Sequence, residues 1–159
     1  MDYLIIILWL ALVAGVIYGF YVFLNKRKGY VLEFQNYGKA DIPYVAINIQ
    51  GTPFNMIVDS GCGISIISSS VLSQLEFEES PRKLSLSAIT DDSIKSGVVR
   101  IPIEINGRTI QEDFGIYPEC DIANFGVLYG ITIHGILGNE FLDKTRCKID
   151  FSKHTVTLY

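Results

Sequence analysis

An apolar membrane helix followed by a mainly β domain is the architecture this sequence predicts, on three observations. Residues 3–24 carry no charge. From Tyr30 onward, short alternating segments are separated by turn residues. Near the C-terminus a single stretch, Asn139–Lys144, reads as a short helix.

The apolar run comes first in the chain. As a helix, residues 3–24 would span about 33 Å at roughly 1.5 Å per residue, enough for the hydrocarbon core of a bilayer. A cleaved leader fits less well. No basic segment precedes the run, which is too long for a leader and is followed by no small-x-small cleavage site. Residues 1–25 are therefore expected to be a retained single-pass anchor in the cell membrane. Lys26, Arg27 and Lys28 follow the run directly and no Lys or Arg precedes it. The positive-inside rule then places the C-terminal domain in the cytoplasm.

About 135 residues remain beyond the anchor, sufficient for one independently folding core. The net charge of −4 argues against a nucleic-acid partner. Cys62, Cys120 and Cys147 are odd in number and irregularly spaced, which suits a reducing compartment better than a disulfide framework. Together with the histidines they show no zinc-like spacing, so no metal is expected. Gly61-x-Gly63 lacks the third glycine and following helix of a nucleotide fingerprint, and no organic cofactor is implied.

Residues 26–40 read as a basic juxtamembrane linker and a first strand. In Ile42–Gln50, Val45, Ile47 and Ile49 alternate with Tyr44, Ala46 and Asn48, the pattern of a half-buried strand. Gly51-Thr52-Pro53 is the expected turn, and Phe54–Val58 returns as a second strand ending at Asp59. Gly63–Ser68 is β-rich, and a helical turn is expected around Ser69–Leu75. Lys83–Ile89 and Ile94–Ile105 flank a polar tip at Thr90–Ser93, the look of a long hairpin. Asn106-Gly107 is a two-residue hairpin turn leading into Arg108–Tyr117. Asn139 is the expected N-cap of the short helix. Two closing strands, Arg146–Phe151 and Thr155–Tyr159, finish the chain.

The chemistry is carried by Ile57-Val58-Asp59-Ser60-Gly61. A strand fixes a carboxylate on a rigid platform, a glycine lets backbone approach closely, and a small hydroxyl can brace the loop. Followed by Ile64–Ser68, this string resembles the active-site loop of the retropepsin-like aspartic proteases. A second landmark, Gly135-Ile136-Leu137-Gly138-Asn139-Glu140-Phe141-Leu142, is similar to the element that crosses near the catalytic loop in that family and leads into its one short helix. The hairpin over 83–105 stands where such proteases carry a flap over substrate. The resemblance covers roughly residues 40–159, so 41–159 is identified as the protease domain, and it implies a small closed β-barrel.

The resemblance also implies a dimer. Its chemistry needs two carboxylates sharing a proton, one acting as base on water while the other hydrogen-bonds the scissile carbonyl. This chain has one Asp-Ser-Gly and no second such motif. Asp59 would therefore meet Asp59 of another copy across a two-fold axis. On this reading Asp59 is catalytic, and Ser60 and Gly61 support the loop. Ile89, Thr90, Asp91, Asp92 and Ser93 form the flap over a peptide or protein substrate, and Ile136 lines the cleft. Cys62 and the acidic flap tip depart from the family pattern. They support the alternative, a catalytically silent, membrane-tethered peptide-binding module. Ser60 lacks the Gly-x-Ser-x-Gly setting of a serine nucleophile.

Overall fold

The computed structural model describes residues 2–26, 29–36, 43–82, 84–87, 93–117 and 130–159. Helix α1 (Asp2–Lys26) is the apolar run. Its Ile6–Leu24 portion has a mean hydropathy of 2.4 and buries none of that surface within the protein, so by length and composition it can cross a membrane.

The remaining elements are mainly strands. They are β1 (Tyr30–Glu33), β2 (Gln35–Asn36), β3 (Pro43–Ile49), β4 (Thr52–Val58), β5 (Ser65–Ser68), β6 (Glu78–Glu79) and β7 (Leu84–Ser87). After these come β8 (Ser93–Ser96), β9 (Val98–Ile105), β10 (Arg108–Tyr117), β11 (Gly135–Leu137), β12 (Lys148–Asp150) and β13 (Thr155–Leu158). A 3₁₀ turn, Ser69–Gln74, follows β5, and helix α2 (Asn139–Lys144) follows β11. Eight strands form one sheet in the order β2-β3-β4-β11-β5-β10-β9-β6. The first and last strands pair across the molecule as a three-stranded sheet, β1-β13-β12, and β7-β8 is a separate hairpin.

The expected closed barrel is not what the described strands form. Among the described residues β2 pairs only with β3 and β6 only with β9, so the described sheet ends in two open edges. Both edge strands are two residues long, and among the described residues no ladder joins one to the other. Glu78 and Glu79, both exposed, make β6 a charged edge of the kind that discourages further strand addition.

Alternation sorts the side chains into two layers. Phe54, Met56 and Val58 of β4 enter the main core with Ile47, Ile101, Ile103, Phe114, Leu137, Phe141, Val156 and Leu158. Ile57, one residue out of phase, joins a smaller cluster with Tyr44, Ile66 and Ile133. Phe54, Phe114 and Phe141 are at most 2% exposed, so truncating any one to Ala is expected to cost about 3–5 kcal/mol.

Local chemistry accounts for the turns. Asn106 and Gly107 both take positive φ, 52° and 68°, as a two-residue hairpin loop requires. The β3–β4 turn lies earlier than the expected Gly51-Thr52-Pro53. Ile49 pairs with Thr52, and Gln50 and Gly51 take φ of 52° and 86°. Gln50 also holds the strand end to the 3₁₀ region, donating to the Glu76 carbonyl and accepting from its N–H, both at 2.7 Å. The closing strands are shorter than expected, with residues 151–154 forming the turn between them.

Candidate active site

Strand β4 delivers Asp59. The preceding Ile57 and Val58 are buried, pinning the strand on both faces, whereas Asp59, Ser60 and Gly61 are exposed. The Asp59 N–H donates to the Leu137 carbonyl at 3.1 Å, and its Oδ1 accepts the Gly61 N–H at 2.8 Å. A third bond, from the Cys62 N–H to the Asp59 carbonyl at 3.2 Å, closes the turn. The carboxylate is thus oriented by one main-chain donor, the Gly61 N–H, and still open to solvent.

Strand β11 threads between β4 and β5, parallel to the first and antiparallel to the second. That crossing needs glycine at both ends. A Cβ on Gly135 would strike the Ile66 carbonyl and the Met56 side chain, and one on Gly138 would strike the Ile64 carbonyl. The start of α2 then locks onto the Asp59 loop. Asn139 N–H donates to the Cys62 carbonyl at 2.6 Å and Glu140 N–H to the Gly63 carbonyl at 3.2 Å. These bonds satisfy donors that a helix start leaves open. The N-cap is consequently Gly138, not the expected Asn139, which is the first helical residue.

Beneath the loop lies a polar cluster. The Ser65 hydroxyl accepts the Gly138 N–H at 3.1 Å and donates to Glu112 Oε1 at 2.9 Å. Glu112 Oε2 takes a 2.7 Å bond from Lys144 Nζ, and the Glu112 side chain is wholly buried. Burial pushes the Glu112 carboxyl above its ordinary range, while Lys144 and Ser65 pull it back. Sequence reading passed over Glu112. The available signal was its parity with Phe114, which marks a charge on the inward side of β10.

Cys62 packs at the edge of the smaller cluster, and its Sγ donates to the Ile64 carbonyl at 3.0 Å. Burial, and then the charge of Asp59, push its thiol upward, away from thiolate reactivity. His134 ties the segment before β11 to β4. Its ring Nδ1 accepts the Asn55 N–H at 2.9 Å, its backbone N–H donates to the Asn55 carbonyl at 2.9 Å, and burial holds the ring below the usual imidazole range.

Of the residues singled out from sequence, Asp59, Ser60 and Gly61 share this loop. Among the described residues no partner for the Ser60 hydroxyl is found, and the loop is held by its main chain, by Asp59 Oδ1 on the Gly61 N–H and by Cys62 Sγ on the Ile64 carbonyl. Ile136 is half-buried against the Tyr44, Ile57, Ile66 and Ile133 cluster, one residue before the carbonyl that holds Asp59. Ile89, Thr90, Asp91 and Asp92 lie outside the described residues. Ser93 opens β8 and pairs antiparallel with Ser87 of β7. Among the described residues no group of three or more His, Cys, Asp or Glu side chains could hold a metal ion.

Comparison with known proteins places this geometry. A family model described as aspartyl protease matches residues 45–141, more than half of the chain and inclusive of the Asp59 loop, β11 and the start of α2. No curated protein sequence gave a match. Among solved structures, a retropepsin-like aspartic protease from Rickettsia conorii superposes with a TM-score of 0.50 at 14% identity, over 82% of this chain and 89% of that one. EIAV protease complexed with the inhibitor HBY-793 gives 0.48 at 19% identity, over 74% and 100% of the two chains. The retroviral protease-like domain of Ddi1 from Leishmania major gives 0.46 at 16%, over 74% and 87%. The matched family model and the likeness to the Rickettsia structure lead to one conclusion: this chain belongs to the aspartyl protease family and has a retropepsin-like fold.

Proposed function

We propose that this protein is a homodimeric aspartic endopeptidase, anchored in the cell membrane by residues 1–25, with its protease domain over residues 41–159 on the cytoplasmic side. The observation that carries this reading is the presentation of Asp59. An exposed carboxylate stands at the end of a buried strand, its oxygen oriented by the Gly61 N–H and its main chain held by Leu137.

Two such carboxylates, one from each copy, cannot both ionise comfortably at close range and would share a proton. The ionised Asp59 takes a proton from water as the water oxygen bonds to the scissile carbonyl carbon. The protonated Asp59 of the second copy gives its proton to the carbonyl oxygen. Collapse of the tetrahedral intermediate breaks the C–N bond, with a proton passing to the leaving nitrogen. Gly61 supports the loop through its N–H on Asp59 Oδ1, and Ile136 contributes to the apolar floor of the cleft that takes an extended peptide. Tethering both copies in one bilayer raises their effective concentration and favours the pairing.

The test is cleavage of a peptide library by the full-length chain. Turnover blocked by a pepstatin-type inhibitor, and abolished by Asp59→Asn in a protein that still dimerises, is the expected result. Equal cleavage by wild type and Asp59→Asn would refute the catalytic role. Tight peptide binding without any cleavage would favour the silent binding module instead.

A further inference from the structure

The buried glutamate under the loop has no part in the chemistry above, yet it connects to Asp59 through a single peptide group. The Leu137–Gly138 peptide is held on both sides. Its carbonyl accepts the Asp59 N–H at 3.1 Å, and its N–H donates to Ser65 Oγ at 3.1 Å. The Ser65 hydroxyl in turn donates to Glu112 Oε1 at 2.9 Å. From these bonds we infer that Glu112 is a positioning residue for the Asp59 loop, acting through Ser65 and the Leu137–Gly138 peptide.

The direction of every bond is consistent along this chain. The Glu112 carboxylate draws the Ser65 proton toward itself, which makes Ser65 Oγ a better acceptor for the Gly138 N–H. Polarising that N–H increases the negative charge on the Leu137 oxygen and strengthens its grip on the Asp59 N–H, because hydrogen bonds in series reinforce one another. A charged acceptor at the far end makes the series stronger than a neutral one would. Ser65 is wholly buried, so no water competes for its hydroxyl. Gly138 allows the close approach, since a Cβ there would meet Ser65 N at 2.8 Å.

Glu112 is held in turn by Lys144, at the last helical position of α2. The same helix caps the Cys62 and Gly63 carbonyls with its first N–H groups. The Asp59 loop is therefore gripped from both ends of one short helix, by main chain at its start and through Glu112 at its finish. Placing a charge in the core is costly unless it is fully paired, and both Glu112 oxygens are paired. A neutral residue would fill the space, so the site calls for a reason to keep the charge, and the relay supplies one.

This inference rests on the proteolytic reading for its effect on turnover, but its structural half can be measured separately. Leu137–Gly138 is the one Leu–Gly peptide in the sequence. Labelling the full-length chain with carbonyl-¹³C leucine and ¹⁵N glycine, in detergent micelles, therefore isolates a single amide resonance. That resonance is expected to lie downfield with slow proton exchange. Glu112→Gln and Ser65→Ala should each shift it upfield and speed its exchange, and the double variant should add nothing further. Peptide turnover should fall about tenfold in kcat with KM within about twofold, the pattern of a displaced reacting group rather than a lost binding contact. A folded Glu112→Gln protein whose Gly138 resonance is unmoved, or whose kcat is unchanged, would overturn the inference, as would additive effects in the double variant. Failure of the wild type to cleave peptides would count against the protease reading alone, because the resonance still reports on the relay.

Discussion

Gly138 lies against the main chain of Ile64 so closely that no side chain fits between them. This contact joins the element that crosses the sheet to the loop that presents Asp59. Gly138→Ala should force the two apart and cost about 1–3 kcal/mol, as other additions to a close-packed site do. Urea unfolding measures the loss. Peptide turnover should fall further than the stability loss explains, because Leu137 would move with its neighbour and draw the Asp59 N–H out of line.

His134 predicts a pH dependence of stability. Burial holds its folded-state pKa below the ordinary value, so the unfolded chain takes up the proton first as the solution is acidified. Its contribution is complete above an ordinary imidazole pKa of about 6.5 and is lost as pH falls through the lower folded value. Protonation of Nδ1 would also remove the acceptor for the Asn55 N–H. His134→Gln should therefore be less stable than wild type at pH 8, with the gap closing toward pH 5. Melting temperatures of the two proteins across that range test this, and a constant gap would contradict it.

Arg82 makes a bidentate bridge to Glu140, both contacts at 2.6 Å, joining the segment before β7 to the first turn of α2. Both side chains remain about 40% exposed, so solvent screens the pair and its worth to stability is expected to be about 0.2–1 kcal/mol. A double-mutant cycle with Arg82→Ala and Glu140→Ala should return a coupling in that range that shrinks as salt is added. A coupling of several kcal/mol, insensitive to salt, would contradict the assignment.

Much of this site was legible because its signals are local. Val58-Asp59-Ser60-Gly61 announces a strand ending in a carboxylate, and Asn106-Gly107 specifies its own turn through two residues that tolerate positive φ. What was not legible depends on partners distant in sequence. Asn139 looks like an N-cap by its type, but Gly138 takes that place because the Asn139 and Glu140 N–H groups are claimed by the Asp59 loop, more than seventy residues away. Gln50 accepts positive φ because Glu76 rewards its side chain. The open sheet could not be seen in alternation, which reports the faces of a strand and not which edges meet. The parity of Glu112 with Phe114 gives its inward side, but not the partners that keep it there, Ser65 and Lys144, which lie far off in sequence.

The proposed cytoplasmic orientation rests on Lys26, Arg27 and Lys28 following the apolar run. In sealed right-side-out vesicles the domain beyond α1 should resist added protease and become sensitive once detergent opens the membrane. Digestion from outside intact vesicles would reverse the assignment.

The central claim is that each copy lends one Asp59 to a shared site, and a mixed dimer tests it most directly. Wild-type and Asp59→Asn chains bearing different affinity tags, co-expressed and purified through both tags, give a dimer with one intact carboxylate. The account predicts that its peptide turnover falls at least about 100-fold below the wild-type dimer. A mixed dimer retaining half the wild-type rate would show that each copy works alone, and would contradict it.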